Sequence, residues 1–218
     1  MANNQGYSRR HVLRWGAAAT TVMVAGAMLP NFGISTALAA DLGEGDIGIL
    51  NYAYALEQLE AAFYTTINDK PFHGITQHEA ETFAEIRDHE VAHREFFKKA
   101  LGESAIPEIE VDFSKVNFGS RAAVLGAADA FENLGVSAYN GAGQLIKKVD
   151  YLVAAGTIVS VEARHAATIA ALLHGPSAAS AGGSHISPQG LDGEMSPEMV
   201  LGRAKPFIKT QLNFKSPV

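Results

Sequence analysis

Two short strings constrain this chain more than anything else in it: Glu90-Val-Ala-His93 and Glu162-Ala-Arg-His165, each a carboxylate and an imidazole three residues apart. Positions i and i+3 of an α-helix lie on one face about one turn apart, so each pair can aim both side chains at a single point in a bundle interior. Each string follows a helical segment that carries an earlier glutamate, Glu57 in the first case and Glu132 in the second. The order Glu, Glu-x-x-His, Glu, Glu-x-x-His is the ligand pattern of carboxylate-bridged dinuclear sites in four-helix bundles.

The surrounding register strengthens the signal, because a Glu-x-x-His match alone is common by chance. ALEQLEAAFY (Ala55 to Tyr64) aligns without gaps on AFENLGVSAY (Ala130 to Tyr139), matching Glu57 to Glu132, Leu59 to Leu134 and Tyr64 to Tyr139. Glu57 and Glu90 are 33 positions apart and Glu132 and Glu162 are 30 apart. Each interval accommodates two antiparallel helices and a short turn. The chain therefore carries one helical hairpin twice, an internal duplication of a metal half-site.

The spacing of apolar residues places four long helices. After Asp46, taken as an N-cap, Ile47, Leu50, Tyr54, Glu57, Ala61 and Tyr64 form one stripe that predicts a first helix to about Ile67. Pro71 and Gly74 break it, and Thr76-Gln77-His78-Glu79 is a capping box that starts a second helix with Phe83, Ile86, Glu90, His93 and Phe97 inward and Gly102 as its end. Residues 102–119 show no helical period. Extended, they would reach roughly 55–60 Å, more than the roughly 36 Å of a 24-residue helix, so they can return the chain to the end where the second helix began. A third helix is expected after Ser120 to about Ile146, and a fourth, capped by Asp150, to His174 before Gly175-Pro176. Gly126, Gly135, Gly141 and Gly143 weaken the third helix by about 1 kcal/mol each and point to close contacts or irregularity there. Beyond Pro176 the composition is that of a loop, then Ser196-Pro197-Glu198 starts a short fifth helix to Ala204, and the apolar end from Phe207 docks on the bundle. The reading is all-α: two antiparallel hairpins joined by a long crossover over residues 40–175, followed by 176–218 as loop, short helix and docked tail.

Residues 1–39 read differently. Ser8-Arg9-Arg10-His11-Val12-Leu13-Arg14 precedes an alanine-rich apolar stretch from Trp15 to Leu29, and Ala37-Leu38-Ala39 offers a small-residue cleavage site. This is the form of a twin-arginine export signal, and Pro30 cuts the apolar run short for a spanning helix. Cleavage after Ala39 would remove three arginines and no acid, taking the formal charge from −6 to −9. Such a protein is expected to be periplasmic or extracellular, with no stable membrane anchor after cleavage, and its acidity argues against nucleic acid as a partner. The absence of cysteine excludes thiolate and iron–sulfur sites, so any metal must be held by oxygen and nitrogen donors, which suit iron or manganese.

LEQLEAAFY, RDHEVAHREFF, FENLGVSAY and VEARHAATI, spread over Asp46 to His174, resemble the ferritin-like superfamily, and most of all the exported ferritin-like family that includes desiccation-related proteins. The resemblance matches Glu57, Glu90, His93, Glu132, Glu162 and His165 to the superfamily's metal-ligand positions. It implies two iron ions, or manganese, and redox chemistry in stress protection, with metal ions and oxygen or peroxide as partners. It fixes no single reaction. A non-catalytic envelope or stress protein with a structural metal site is the alternative, and homo-oligomer formation stays open. On chemical grounds Glu90 and Glu162 are placed to bridge, with Glu57 and Glu132 terminal. Glu60 and Asp129 are expected to be solvated acids, with a cation path or an extra ligand as the other reading. Tyr64 and Tyr139 are expected chiefly to pack in the core, and His73, His78, His89, His174 and His185 to lie at the surface or at caps.

Overall fold

The computed structural model describes residues 39–216. The twin-arginine motif and apolar stretch therefore lie outside the described residues. Four long helices are present, α1 (Gly45–Asp69), α2 (Gln77–Leu101), α3 (Arg121–Gly143) and α4 (Val149–His174), with a short α5 (Pro197–Ala204). Two three-residue strands, β1 (Ala39–Asp41) and β2 (Gln211–Asn213), complete the fold. α1 packs on α2 and α3 on α4, as two hairpins. Among the described residues no helix is long and apolar enough to cross a membrane.

The expected crossover is present. At the start of α2 the capping box is complete: Glu79 N–H donates to Thr76 Oγ1 at 3.2 Å and Thr76 N–H to Glu79 Oε2 at 2.9 Å. The same Glu79 accepts from Nε of Arg121, the first residue of α3, at 2.6 Å, while Arg121 Nη2 reaches the Leu172 carbonyl near the end of α4 at 2.7 Å. One arginine thus fixes three helix ends together, and α3 starts where α2 started. α1 and α3 consequently run antiparallel.

α1 is buried almost all round, unbroken from Gly48 to Ala61. A helix in that position must satisfy the backbone of whatever covers it, and two polar residues seven apart do so. Asn51 Oδ1 accepts from Ile106 N–H at 2.9 Å, and its Nδ2 donates to the carbonyls of Leu42 and Ser104. Gln58 Oε1 accepts from Ile109 N–H at 2.8 Å. The crossover is therefore laid along α1, with Ile106 and Ile109 buried against it.

The tail docks on that crossover. Val111 bridges Ile208 in antiparallel fashion, and Lys209 N–H donates to the Glu110 carbonyl at 2.8 Å. β2 then pairs with β1 in parallel, Ala40 opposite Leu212, and Phe214 reaches Tyr52 of α1 at a centroid distance of 5.8 Å. Ala39, the residue before the expected cleavage point, is the first of β1, and Ala40 behind it is buried.

Three expected boundaries are corrected. Asp46 lies in the first turn of α1, whose N-cap is Glu44; its carboxylate instead accepts from the N–H groups of Lys147 and Lys148, each at 2.9 Å, and so holds the approach to α4. Asp150 is not a cap, because α4 is entered from Lys148. α3 ends at Gly143 rather than Ile146, its last turn continuing as tight turns from Ala142 to Leu145 and Gly143 to Ile146. One of its glycines marks the close contact expected there: a Cβ at Gly141 would stand 1.8 Å from the Met195 carbonyl oxygen, so the returning chain lies directly on the α3 backbone. Met195 N–H donates to the Ser137 carbonyl at 3.0 Å in that contact.

Candidate metal centre

On the narrow buried stripes of α2 and α4, ligands replace the apolar residues that a core would otherwise use. α2 buries Phe83, Ile86, Glu90 and Phe97, and α4 buries Ala155, Ile158, Glu162, His165 and Ile169. α1 and α3 add Glu57 and Glu132, and Glu57, Glu90, Glu132 and Glu162 are each 0% exposed. His165 is buried too, while the His93 side chain keeps 13% of its surface.

All six sequence-identified residues converge, in two overlapping groups. Glu57, Glu90, His93 and Glu162 offer ligand atoms that lie within 4.8 Å of one another, and so do Glu90, Glu132, Glu162 and His165. Glu90 and Glu162 belong to both and divide their oxygens between them. His93 Nδ1 lies 3.5 Å from Glu90 Oε2 and 3.0 Å from Glu162 Oε1, whereas His165 Nδ1 lies 2.8 Å from Glu90 Oε1 and 3.6 Å from Glu162 Oε2. Glu57 Oε2 is 3.4 Å from His93 Nδ1, and Glu132 Oε2 is 3.4 Å from His165 Nδ1.

These inward atoms have no aligned hydrogen bond, although all are buried: Glu57 Oε2, Glu132 Oε2, both oxygens of Glu90 and of Glu162, and Nδ1 of each histidine. Buried polar groups are normally hydrogen-bonded, and eight such atoms gathered around one point without an aligned hydrogen bond fit a shared cation. The outward atoms are satisfied. Tyr64 hydroxyl donates to Glu132 Oε1 and Tyr139 hydroxyl to Glu57 Oε1, an exchange between antiparallel α1 and α3 that gives the site approximate twofold symmetry. Behind these tyrosines stand Phe83 and Phe97, at centroid distances of 6.3 and 6.4 Å, closing the cluster along the bundle axis.

The electrostatics are those of crowded carboxylates. Burial raises Glu57 well above its usual range, with His93 opposing and Glu162 and Glu90 adding to the shift. Burial also lifts Glu132, to about 8, with His165 opposing. Burial would raise Glu90 as well, but the imidazoles of His165 and His93 on either side bring it down to about 2. For the histidines burial disfavours the charged form, yet the carboxylates around them, Glu162 first for His93 and Glu132 first for His165, push both up to about 12. Without metal, these protons keep the carboxylates together.

Three expectations outside the six change. Glu60 is only 4% exposed and is not solvated; its carboxyl is held well above its usual range by burial and then by Glu162, Glu90 and Glu132. Tyr64 and Tyr139 hydrogen-bond the ligands in addition to packing. His89 is not merely a surface residue: its Nδ1 lies 3.0 Å from His165 Nε2, with the rings nearly parallel at 8° and Nε2 3.5 Å from Glu85 Oε1. The adjacency of His89 to Glu90 was the only sequence signal for it. His73, His78, His174 and His185 are exposed as expected, and Asp129 is half-buried beside surface cavities that it lines with His185.

The geometry thus defines a buried carboxylate and imidazole cluster able to hold metal. The chain matches no curated protein. Residues 45–175, the four long helices that supply every ligand, match the ferritin-like domain, and the chain belongs to that family.

Proposed function

We propose that this chain is an exported ferritin-like protein that holds two ions of iron, or of manganese, and uses them in redox chemistry for stress protection, by metal oxidation or by consuming oxygen or peroxide. The observation that carries the reading is the sharing of Glu90 and Glu162 between two groups of three carboxylates and one imidazole, each shared carboxylate directing one oxygen to either histidine. Glu57 and His93 would complete one ion, Glu132 and His165 the other. Four carboxylates and two neutral imidazoles also balance the charge of two divalent cations. When bound, such a pair supplies electron transfer and open coordination positions for oxygen or peroxide.

The chain's own groups prepare the site. Tyr64 and Tyr139 anchor the outer oxygens of Glu132 and Glu57, leaving each Oε2 directed inward. The contact between His165 Nε2 and His89 Nδ1 at 3.0 Å orients the His165 ring so that its Nδ1 faces the cluster. Solvent approaches along His93 and His89, whose side chains are 13% and 43% exposed, while the aromatic pairs shut the axial directions. Export rests on the Arg9-Arg10 motif and the alanine-rich stretch after it.

Metal analysis of protein taken from its native compartment, followed by ferrous-oxidation and peroxide assays, tests the reading. Two ions per chain with turnover is the expected result. A stably folded protein without metal and without turnover would return the chain to a non-catalytic binding role.

A further inference from the structure

The duplicated segments differ at one position that faces the cluster. Alignment of ALEQLEAAFY on AFENLGVSAY pairs Glu60 with Gly135, so the twofold that relates Glu57 to Glu132 relates a carboxylate to a missing side chain. The two meet in space. A Cβ on Gly135 would stand 3.3 and 3.7 Å from the oxygens of Glu60 and 3.7 Å from Glu162 Oε2. Glycine inside a helix costs about 1 kcal/mol relative to alanine, and here it opens the gap across which Glu60 and Glu162 face each other.

Glu60 is 96% buried, and no described residue gives it a hydrogen bond or an ion pair. An ionised carboxylate in that position needs a cation, since burial without a partner is strongly unfavourable. The neighbouring oxygen, Glu162 Oε2, is the one that faces His165 rather than His93. Glu60 also lies one turn from Glu57 toward Tyr64, whose hydroxyl binds Glu132. Both placements put it on the half of the cluster formed by Glu132 and His165.

On the dinuclear reading given above, we propose that Glu60 is a fifth carboxylate of the centre, belonging to the ion of Glu132 and His165 and admitted by Gly135. Glu57 and His93 have no counterpart to it. The two ions are therefore inequivalent, and the one beside Glu60 binds first and more tightly.

The experiment is titration of the full apo-protein with manganous ion, reading free ion by electron paramagnetic resonance and bound ion by metal analysis. Wild type should fill in two distinguishable steps. Glu60→Gln, close in shape and neutral, should weaken the tighter step about 10- to 100-fold, the range seen when a group supporting a metal site is lost. In a His93→Ala background Glu60→Gln should weaken the remaining ion by the same factor, and in a His165→Ala background it should change nothing. Gly135→Ala, whose Cβ would stand 3.3 Å from a Glu60 oxygen and press on that carboxylate, should weaken the tighter step as well, with circular dichroism confirming that each variant is folded. Unchanged binding in Glu60→Gln, or equal weakening in both histidine backgrounds, would overturn the assignment while leaving the dinuclear centre intact. A wild-type protein that takes up no manganese would overturn the dinuclear reading itself, and this assignment with it.

Discussion

Replacing Glu162 by alanine is the most searching perturbation of the proposed centre. Glu162 is fully buried and contributes one oxygen to each ligand group, 3.0 Å from His93 Nδ1 and 3.6 Å from His165 Nδ1. Its loss removes one ligand oxygen from each group and a buried negative charge that both ions share. Breaking a buried charge pair from one side costs about 3–5 kcal/mol. At about 1.4 kcal/mol per decade, that corresponds to a loss of roughly 10²- to 10⁴-fold in affinity for the pair. Glu57→Ala is the control, because Glu57 belongs to one group alone and its loss should spare one ion. Manganous or ferrous titration of apo-protein, with metal counted after gel filtration, separates the cases: fewer than one tightly held ion for Glu162→Ala, one for Glu57→Ala. Two ions retained with unchanged affinity by Glu162→Ala would refute the bridging argument.

Tyr64→Phe and Tyr139→Phe should each destabilise the apo-protein by about 1–3 kcal/mol in urea unfolding, by orphaning a buried oxygen of Glu132 or Glu57, yet keep the two-ion stoichiometry. Metal loading should release protons and tighten as pH rises from 6 to 8. The sign follows from His93 and His165, raised to about 12, and Glu132, raised to about 8: all hold protons at neutral pH that a cation must displace, and pH-stat titration measures them. Gly141→Ala places a methyl 1.8 Å from the Met195 carbonyl and should lift residues 193–195 off α3, losing two hydrogen bonds and about 2 kcal/mol in thermal unfolding without altering metal content.

The ligand set was legible because it obeys two periodicities at once, i to i+3 within a helix and the repeat between hairpins. Helix ends were less so. Asp46 has the chemistry of an N-cap, but its oxygens are taken by Lys147 and Lys148, about a hundred residues away, and no local pattern carries such a contact. Glu60 was misread for the same reason in reverse. An acid one turn from a ligand is ordinarily solvated, and what buries it is the absence of a side chain on another helix. Asn51 and Gln58 left no sequence signal as the residues that seat the crossover, since their partners are backbone groups.

The parallel pairing of β1 with β2 imposes an order on folding. Ala39 and Gln211 are 172 positions apart, against 33 between Glu57 and Glu90. Closing the longer loop costs about 1.5 kcal/mol more in chain entropy for a ladder of only three residues on each strand. The hairpins can therefore assemble well before this seam, and the seam is the first part to fray. Amide exchange should be fastest at Leu42 and along Gln211–Asn213, marking a latch that opens while the bundle beneath it stays closed.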